Sequence, residues 1–379
     1  MGDWHKEIRE VTKQLDRTNV RILSAMWRYG PRNLLEVSRR TRIPFTSVYH
    51  RVGKLEAKSN RIAVLIPHVA GLGLMRVGVF VLAKPGLEEK VTLALKIPNY
   101  CRCVNRCEGQ FSHFSVQVVP VKFLKQFKQY IKRLLQLGLI AKFSIIPTGE
   151  FVPNFSNFDY YNPVNGEWTF QWERWLKVLN RVPTLTIEDP PSYEVRADKK
   201  DILIVRELEK NGRTSFADLA PLLGISLQGV KYHYDKKLVP AGIVKYFGFD
   251  LLPFPEELSA QHEILVNFKN AREMNKFYSL VSELFFVRGV AKVLRQDALL
   301  VRTYIPQNQI SNLFTFLSVM AQEGRVESYS AIRQTFVPRY PEAISYELYD
   351  KETGWNFDLK RYMAELSKLA RARVIHRRV

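Results

Sequence analysis

Cysteine is scarce. The chain has three in 379 residues, Cys101, Cys103 and Cys107, all within seven residues. An odd number so closely spaced does not build a disulfide framework, and a reducing, cytoplasmic setting is the simplest expectation. The spacing C-x-C-x3-C, with His113 nearby, lacks the paired C-x2-C of common zinc sites. No metal and no cofactor are expected. No run of about 18 apolar residues is present, which excludes a transmembrane helix of the usual kind. The first residues, MGDWHKEIREVTKQ, contain no apolar stretch, and no secretory signal is expected. Catalytic signatures are missing as well: there is no G-x4-G-K-[ST], no H-E-x-x-H and no G-x-S-x-G. The seven histidines are scattered. An enzyme is not expected. Acid is in deficit, with 37 Asp and Glu against 57 Lys and Arg, a formal charge of +20. Such an excess points to an anionic partner, nucleic acid before an acidic membrane surface. With 46% hydrophobic residues the chain has material for several packed cores, and its length suggests two to four domains.

The most informative stretch is Gly212–Phe247, GRTSFADLAPLLGISLQGVKYHYDKKLVPAGIVKYF. Phe216, Leu219, Ala220 and Leu223 recur at helical spacing. Gly224 supplies a stop, and Ser226 caps the next helix. There Leu227, Val230, Tyr234 and Leu238 form one apolar stripe, which turns Gln228, Tyr232 and Lys236 outward. A short helix with a packed back and a basic front is the part that enters a DNA major groove.

The residues Gly212-Arg213-Thr214-Ser215, Asp218-Leu219-Ala220, Leu223-Gly224-Ile225-Ser226, Val230, Leu238 and Gly242-Ile243 resemble the winged-helix signature of Lrp/AsnC transcription regulators. That family usually carries Arg three residues after the buried Val, where this chain has His233. The resemblance implies DNA binding by the winged helix and a following ferredoxin-like domain for dimerisation and effector sensing. The glycine-and-acid features of the family's effector site are not recognisable at Glu108-Gly109-Gln110 or Gln296-Asp297.

The same pattern occurs earlier. DRTNVRILSAMWRY (16–29) is amphipathic, with Val20, Leu23 and Trp27 on one side, and Gly30-Pro31 ends it. Asn33 caps LLEVSRRT, and a third helix follows with Phe45, Val48, Val52 and Leu55 as its stripe. Thr46, His50 and Lys54 match Gln228, Tyr232 and Lys236 at an offset of 182, and the family's Arg is present as Arg51. The candidate DNA-binding residues are therefore Thr46, Ser47, His50, Arg51 and Lys54, with Gln228, Lys231, Tyr232, His233 and Lys236. Lys54 and Lys236 are placed for phosphate or guanine, His50 and Tyr232 for donation to base or phosphate oxygens. Arg51 sits at the edge of its face.

From Met75 the period becomes strand-like, and the order reads βαββαβ, a split βαβ ferredoxin-like unit. HEILVNFKN begins the same order again. Phe151-Val152-Pro153 returns as Phe336-Val337-Pro338, an offset of 185, and the Trp168–Leu176 segment has a counterpart in Trp355–Met363. Trp168, Trp172 and Trp175 suit core or interface anchors. VPTLTIEDPP (182–191) reads as an extended linker. The helix at 122–137 is basic, and so is the tail, where Arg371, Arg373, Arg377 and Arg378 are placed to add non-specific affinity.

The expected fold is α+β, two tandem copies of winged helix-turn-helix plus ferredoxin-like domain. The units are 1–70, 71–182 with the Trp-rich helix, 192–255, and 256–379 with a basic C-terminal helix. The expected partner is double-stranded DNA, bound by a transcription regulator or chromatin-associated protein, with the effector unknown and no membrane role. Val77, Val79 and Val81, with Ile264, Val266 and Phe268, are expected to pair the two sheets as a pseudo-dimer within one chain. A further homodimer is left open. Two alternatives stand beside this: a protein-interaction scaffold whose winged helices read no DNA, and an enzyme of the related sirohaem-decarboxylase fold.

Overall fold

The computed structural model describes residues 15–59, 63–155, 157–249, 253–335 and 343–372. The expected features at Phe336-Val337-Pro338 and beyond Ala372 lie outside these residues. Asp16 starts helix α1 (Arg17–Tyr29) by accepting from the Asn19 amide at 2.7 Å. Asn33 does the same for α2 (Leu34–Thr41), which stops at Arg42 with φ 54°. Helix α3 (Phe45–Ser59) follows. Ile22, Met26, Val37, Val48, Val52 and Leu55 form their core. The stripe of α1 is rotated from the expected one: Val20 and Trp27 lie on its flank, where Trp27 stacks on Phe155 at 5.4 Å. Strand β1 (Ala63–Ile66) completes the unit.

The next elements are β2 (Leu74–Ala83), α4 (Glu88–Ala94), β3 (Cys101–Glu108), β4 (His113–Pro120), α5 (Leu124–Gln136) and β5 (Ile140–Pro153). A small hairpin, β6 (Tyr161–Asn162) and β7 (Glu167–Trp168), leads to α6 (Trp172–Val178). The order then recurs as α7 (Lys199–Lys210), α8 (Phe216–Leu223), α9 (Leu227–Tyr232) and β8 (Tyr246–Phe249). It continues through β9 (Ser259–Phe268), α10 (Ala271–Leu280), β10 (Val287–Val293), β11 (Ala298–Pro306), α11 (Ile310–Gln322) and β12 (Val326–Gln334). A second hairpin, β13 (Tyr349–Asp350) and β14 (Gly354–Trp355), and α12 (Leu359–Arg371) close it. Helix α9 runs on as a π-helix over His233–Leu238. Val48 and Val52 correspond to Val230 and Tyr234 at an offset of 182, but Leu55 corresponds to Leu238 at 183. The wider π turn absorbs the extra residue and keeps Leu238 in the core.

Eight strands close into one barrel in the order β10-β11-β9-β12-β3-β4-β2-β5. Two antiparallel seams join its halves, β12 to β3 at Gln334↔Cys107 and β10 to β5 from Gly289↔Pro153 to Val293↔Thr148. The residues that meet between the halves are not those expected from sequence. Val77, Val79 and Val81 pack outward with Phe127 and Ile131 of α5. Ile264, Val266 and Phe268 pack with Phe277 of α10 and Phe316 of α11. The opposite faces, Phe80, Phe114 and Val116 with Leu300 and Ile332, come together inside. Both faces of these strands are apolar, so a period of two cannot say which one the helices take. The interior also holds Glu263, which accepts from Arg302 Nε at 2.9 Å and Gln334 Nε2 at 3.0 Å. Burial, reinforced by Arg302, pushes the Arg76 guanidinium there down to about 10.

Each hairpin-and-helix segment packs on the other half. Trp175, Tyr160 and Leu179 join Phe285 and Phe286, Trp168 stacks on Phe285 at 4.6 Å, and Trp172 Nε1 donates to Gln309 Oε1 at 2.9 Å. In return Trp355, Phe357 and Tyr362 join Tyr100, and Trp355 Nε1 donates to the Leu72 carbonyl at 2.6 Å. Large aromatic surface, with each indole N–H given an acceptor, makes these crossings stable. The segment after Val182 is extended but pinned. The Leu185 amide donates to Ser279 Oγ at 2.7 Å, and Asp189 pairs with Lys292 at 2.5 Å. The apolar clusters therefore run across the unit boundaries drawn from sequence.

Candidate nucleic-acid interface

The two three-helix units share a two-stranded sheet. Strand β1 pairs antiparallel with β8, from Ala63↔Phe249 to Ile66↔Tyr246. Arg32 locks the contact: its guanidinium lies 4.6 Å from the Phe216 ring and 5.3 Å from the Tyr234 ring, and Nη1 donates to the Gly212 carbonyl at 2.9 Å. Arg213 pairs with Glu56 at 2.9 Å. Gly212 allows the close approach, because a Cβ there would meet Phe247 at 2.9 Å and the Ala63 carbonyl oxygen at 3.1 Å. The orientation of α3 relative to α9 is thus set by hydrogen bonds and cation–ring contacts rather than by a linker.

Ser226 caps α9 by accepting from the Gly229 amide at 3.1 Å, as its sequence position implies. Val48 and Val230 anchor the two helices with no exposed surface. Thr46, His50 and Lys54 are exposed, with Ser47 half-buried beside them. Gln228, Lys231, Tyr232 and Lys236 are likewise exposed. Phe45 and Leu227, expected to head the buried stripes, face solvent instead. The turn residues Ile43 and Ile225 fill that space: Ile43 is in the first unit's core, and Ile225 packs against Gly229.

Arg51 and His233 do not stand free on these faces. Arg51 Nη1 donates to Asp16 Oδ2 at 2.7 Å and to Asn19 Oδ1 at 3.0 Å. His233 Nδ1 is 2.6 Å from Asp201 Oδ1. Asp16 and Asp198, and Asn19 and Asp201, stand at the same offset of 182 as Arg51 and His233. At equivalent places both residues therefore tie the third helix of a unit to the start of its first. Lys237 adds a second tie, 2.6 Å from Asp198 and 2.7 Å from Asp201. Partial burial works to raise the Asp16 carboxyl, but the Arg51 guanidinium and the Asn19 amide outweigh it and hold its pKa below the ordinary value. Asp198 is held low in the same way, with Lys237 overcoming burial. Sequence reasoning assigned Arg51 and His233 outward because helical angle alone does not show how far a long or ring side chain reaches back.

Among the described residues, Asp198, Asp201 and His233 have the composition of a metal site, with donor atoms within 4.8 Å of one another. The Lys237 ammonium already lies against both carboxylates, where a cation would sit. The cysteines do not converge. Cys101 belongs to the core under α5, while Cys103 and Cys107 line the barrel interior, where burial pushes the Cys107 thiol up to about 12. No helix among the described residues is long and apolar enough to cross a membrane.

Residues 198–245 match the family model of winged helix-turn-helix DNA-binding domains. The chain thus carries a winged helix-turn-helix domain at these residues within a mixed α+β fold, and the Lrp/AsnC signature read from Gly212–Ile243 falls inside the match. It is similar to an uncharacterised HTH-type transcriptional regulator of Pyrococcus horikoshii, 26% identical over 114 residues, 30% of this chain and 75% of that protein. A Pyrococcus abyssi regulator, also uncharacterised, matches with the same figures. Among solved structures, the siroheme decarboxylase NirDL superposes with a TM-score of 0.54 at 11% identity, covering 93% of this chain and 99% of its own. That likeness is one of fold. Escherichia coli AsnC covers 38% of this chain and 95% of its own at 18% identity, with a TM-score of 0.30.

Proposed function

We propose that the chain is a double-stranded-DNA-binding transcription regulator or chromatin-associated protein. In this reading it is a tandem duplication, with units at 1–70, 71–182, 192–255 and 256–379, that acts in the cytoplasm as a pseudo-dimer within one polypeptide and catalyses nothing. The observation that carries it is the β1–β8 pairing, which holds two exposed, cation-bearing helices in one frame. Thr46, Ser47, His50 and Lys54 form one reading face, and Gln228, Lys231, Tyr232 and Lys236 the other. Arg51 and His233 position these faces from behind. Phosphate contacts supply affinity, and groove-facing side chains supply discrimination.

The first face is the stronger. Residues 16–56 carry nine Lys and Arg against three acids, whereas the equivalent residues 198–238 carry eight against six, with exposed Asp235 beside Lys236. The test is a mobility-shift titration of the full chain on random duplex at two salt concentrations. Neutralising several phosphates makes log K fall steeply with log salt. No binding at about 50 mM salt, or binding indifferent to salt, contradicts the proposal and leaves the scaffold reading. The shared fold with NirDL keeps one enzymatic alternative in view, tested by titrating an iron-uroporphyrin III analogue. A saturable change in its absorption spectrum favours that alternative.

A further inference from the structure

Helix α3 turns two aromatic rings toward solvent at its leading end. Phe45 is 45% and Tyr49 58% exposed. Their centroids are 6.2 Å apart, and His50 stands edge-on to Tyr49 at 6.0 Å. Four residues apart on a helix, the two rings form a single strip. Helix α9 shows the same habit, with Leu227 at 48%, the counterpart of Phe45, and Tyr232 at 59%, the counterpart of His50. Single exposed apolar residues need no explanation. Here, however, eight of the fourteen large exposed apolar side chains among the described residues lie on the two three-helix units, which are only about a quarter of the chain. Two of them, Phe45 and Leu227, occupy the same position in each reading helix.

The unit that carries the strip is basic. Arg42 is exposed in the turn just before it, Lys54 is exposed further along α3, and Arg39 and Arg40 in α2 are largely exposed although they lie against Glu36. An apolar strip on a basic unit complements one surface closely. Phosphates flank the major groove of duplex DNA, and the thymine 5-methyl is the apolar group on its floor. We propose that Phe45 and Tyr49, joined by Leu227 in the second unit, read thymine methyl groups, so that this protein selects thymine-bearing steps in the major groove. The inference rests on the DNA-binding reading above and adds a chemical basis for its specificity. It also accounts for apolar residues at positions where phosphate binding alone would call for polar ones.

The experiment begins with selection by the full chain from duplexes carrying about twenty random base pairs, two helical turns. The enriched duplex is then made twice, with thymidine or with 2′-deoxyuridine, which removes only the methyl groups. Burying one methyl is worth about fourfold in affinity, so two contacted methyls give roughly tenfold or more. The wild-type chain should lose that factor on the deoxyuridine duplex. The Phe45→Ala/Tyr49→Ala variant should bind the two duplexes within about twofold of each other. Lys54→Ala, a phosphate-facing control, should weaken both equally and keep the thymine preference. All three side chains are exposed, so unfolding by the substitutions is not expected, and circular dichroism verifies it. Equal wild-type affinity for both duplexes overturns this inference and leaves DNA binding standing. Absence of binding to any duplex overturns both. A concentration-dependent dimer abolished by Phe45→Ala assigns the strip to self-association and also overturns it.

Discussion

Replacing His233 should separate the stability of the second winged helix from its contact with DNA. Asp201 is fully buried. Its carboxylate is held by His233 Nδ1 at 2.6 Å and by Lys237 Nζ at 2.7 Å, and it accepts from the Asp198 amide at 2.8 Å. His233→Ala removes the first of these partners. Losing a hydrogen bond to a charged group costs about 1.5–3 kcal/mol, and leaving a buried charge with no partner costs about 3–5 kcal/mol. Lys237 and the amide remain, so the smaller range applies, and about 2 kcal/mol is expected. Lys236→Ala is the complementary change, because Lys236 is exposed on the outer face. It should leave stability within about 0.5 kcal/mol and weaken duplex binding. The assay is urea unfolding followed by tryptophan fluorescence and circular dichroism, with mobility shifts under conditions where each variant is folded. His233→Ala should shift the unfolding curve and change DNA affinity little. A large loss of affinity with unchanged stability would refute the reasoning, since it would place the imidazole in the groove.

Three further outcomes follow from buried groups. Burial, with Arg333 acting the same way, holds His262 down to about 4. The unfolded chain therefore takes up a proton below its ordinary value of 6.5 that the folded one refuses, and stability falls as pH drops from 6.5 toward 4. Relative to His262→Phe, the wild type should lose about 2 kcal/mol between pH 7 and pH 5, and an unchanged difference counts against it. Glu150 has the opposite sign: burial raises it to about 7 against the pull of Lys245, so its neutral form fits the fold and stability is lost as pH rises from 4.5 through 7. Glu150→Gln should be more stable than wild type by up to about 3 kcal/mol at pH 8 and indistinguishable at pH 4; equal stability at pH 8 defeats this. Finally, Trp355→Ala deletes the side chain that crosses to the first half and its bond to the Leu72 carbonyl, and should destabilise by about 3–5 kcal/mol in urea unfolding. A loss under about 1 kcal/mol would mean that the crossing is incidental.

The chain's periodicities located the elements well, because each was marked by local chemistry. Asp16, Asn33, Ser226 and Gly224 act at helix ends where their residue types imply. The βαββαβ order was readable twice from the change of period at Met75 and at His262. Partner choice was not readable. Val77 and Phe80 lie on opposite faces of one strand, both apolar, and only the placement of α5 decides which is outside. The tie from Arg51 to Asn19 and that from His233 to Asp201 each span 32 residues. Such contacts have no local signature, although the shared offset of 182 between the two pairs was present in the sequence. The crossing of Trp175 and Trp355 onto opposite halves depends on three-dimensional closure, so the spacing of Trp168, Trp172 and Trp175 showed only that these three were anchors. The extra residue before Leu238 was also countable, yet its accommodation by a π turn required the structure.

The most direct test of a pseudo-dimer that binds DNA is hydroxyl-radical footprinting of the full chain on its selected duplex, with light scattering on the same complex. One chain should protect two patches about one helical turn, or a multiple, apart, because α3 and α9 are fixed in one frame. The two patches need not share a sequence, since the faces differ. Lys54→Ala should fade one patch and Lys236→Ala the other. A single short patch from one bound chain, or two patches that appear only when two chains bind, would contradict the account.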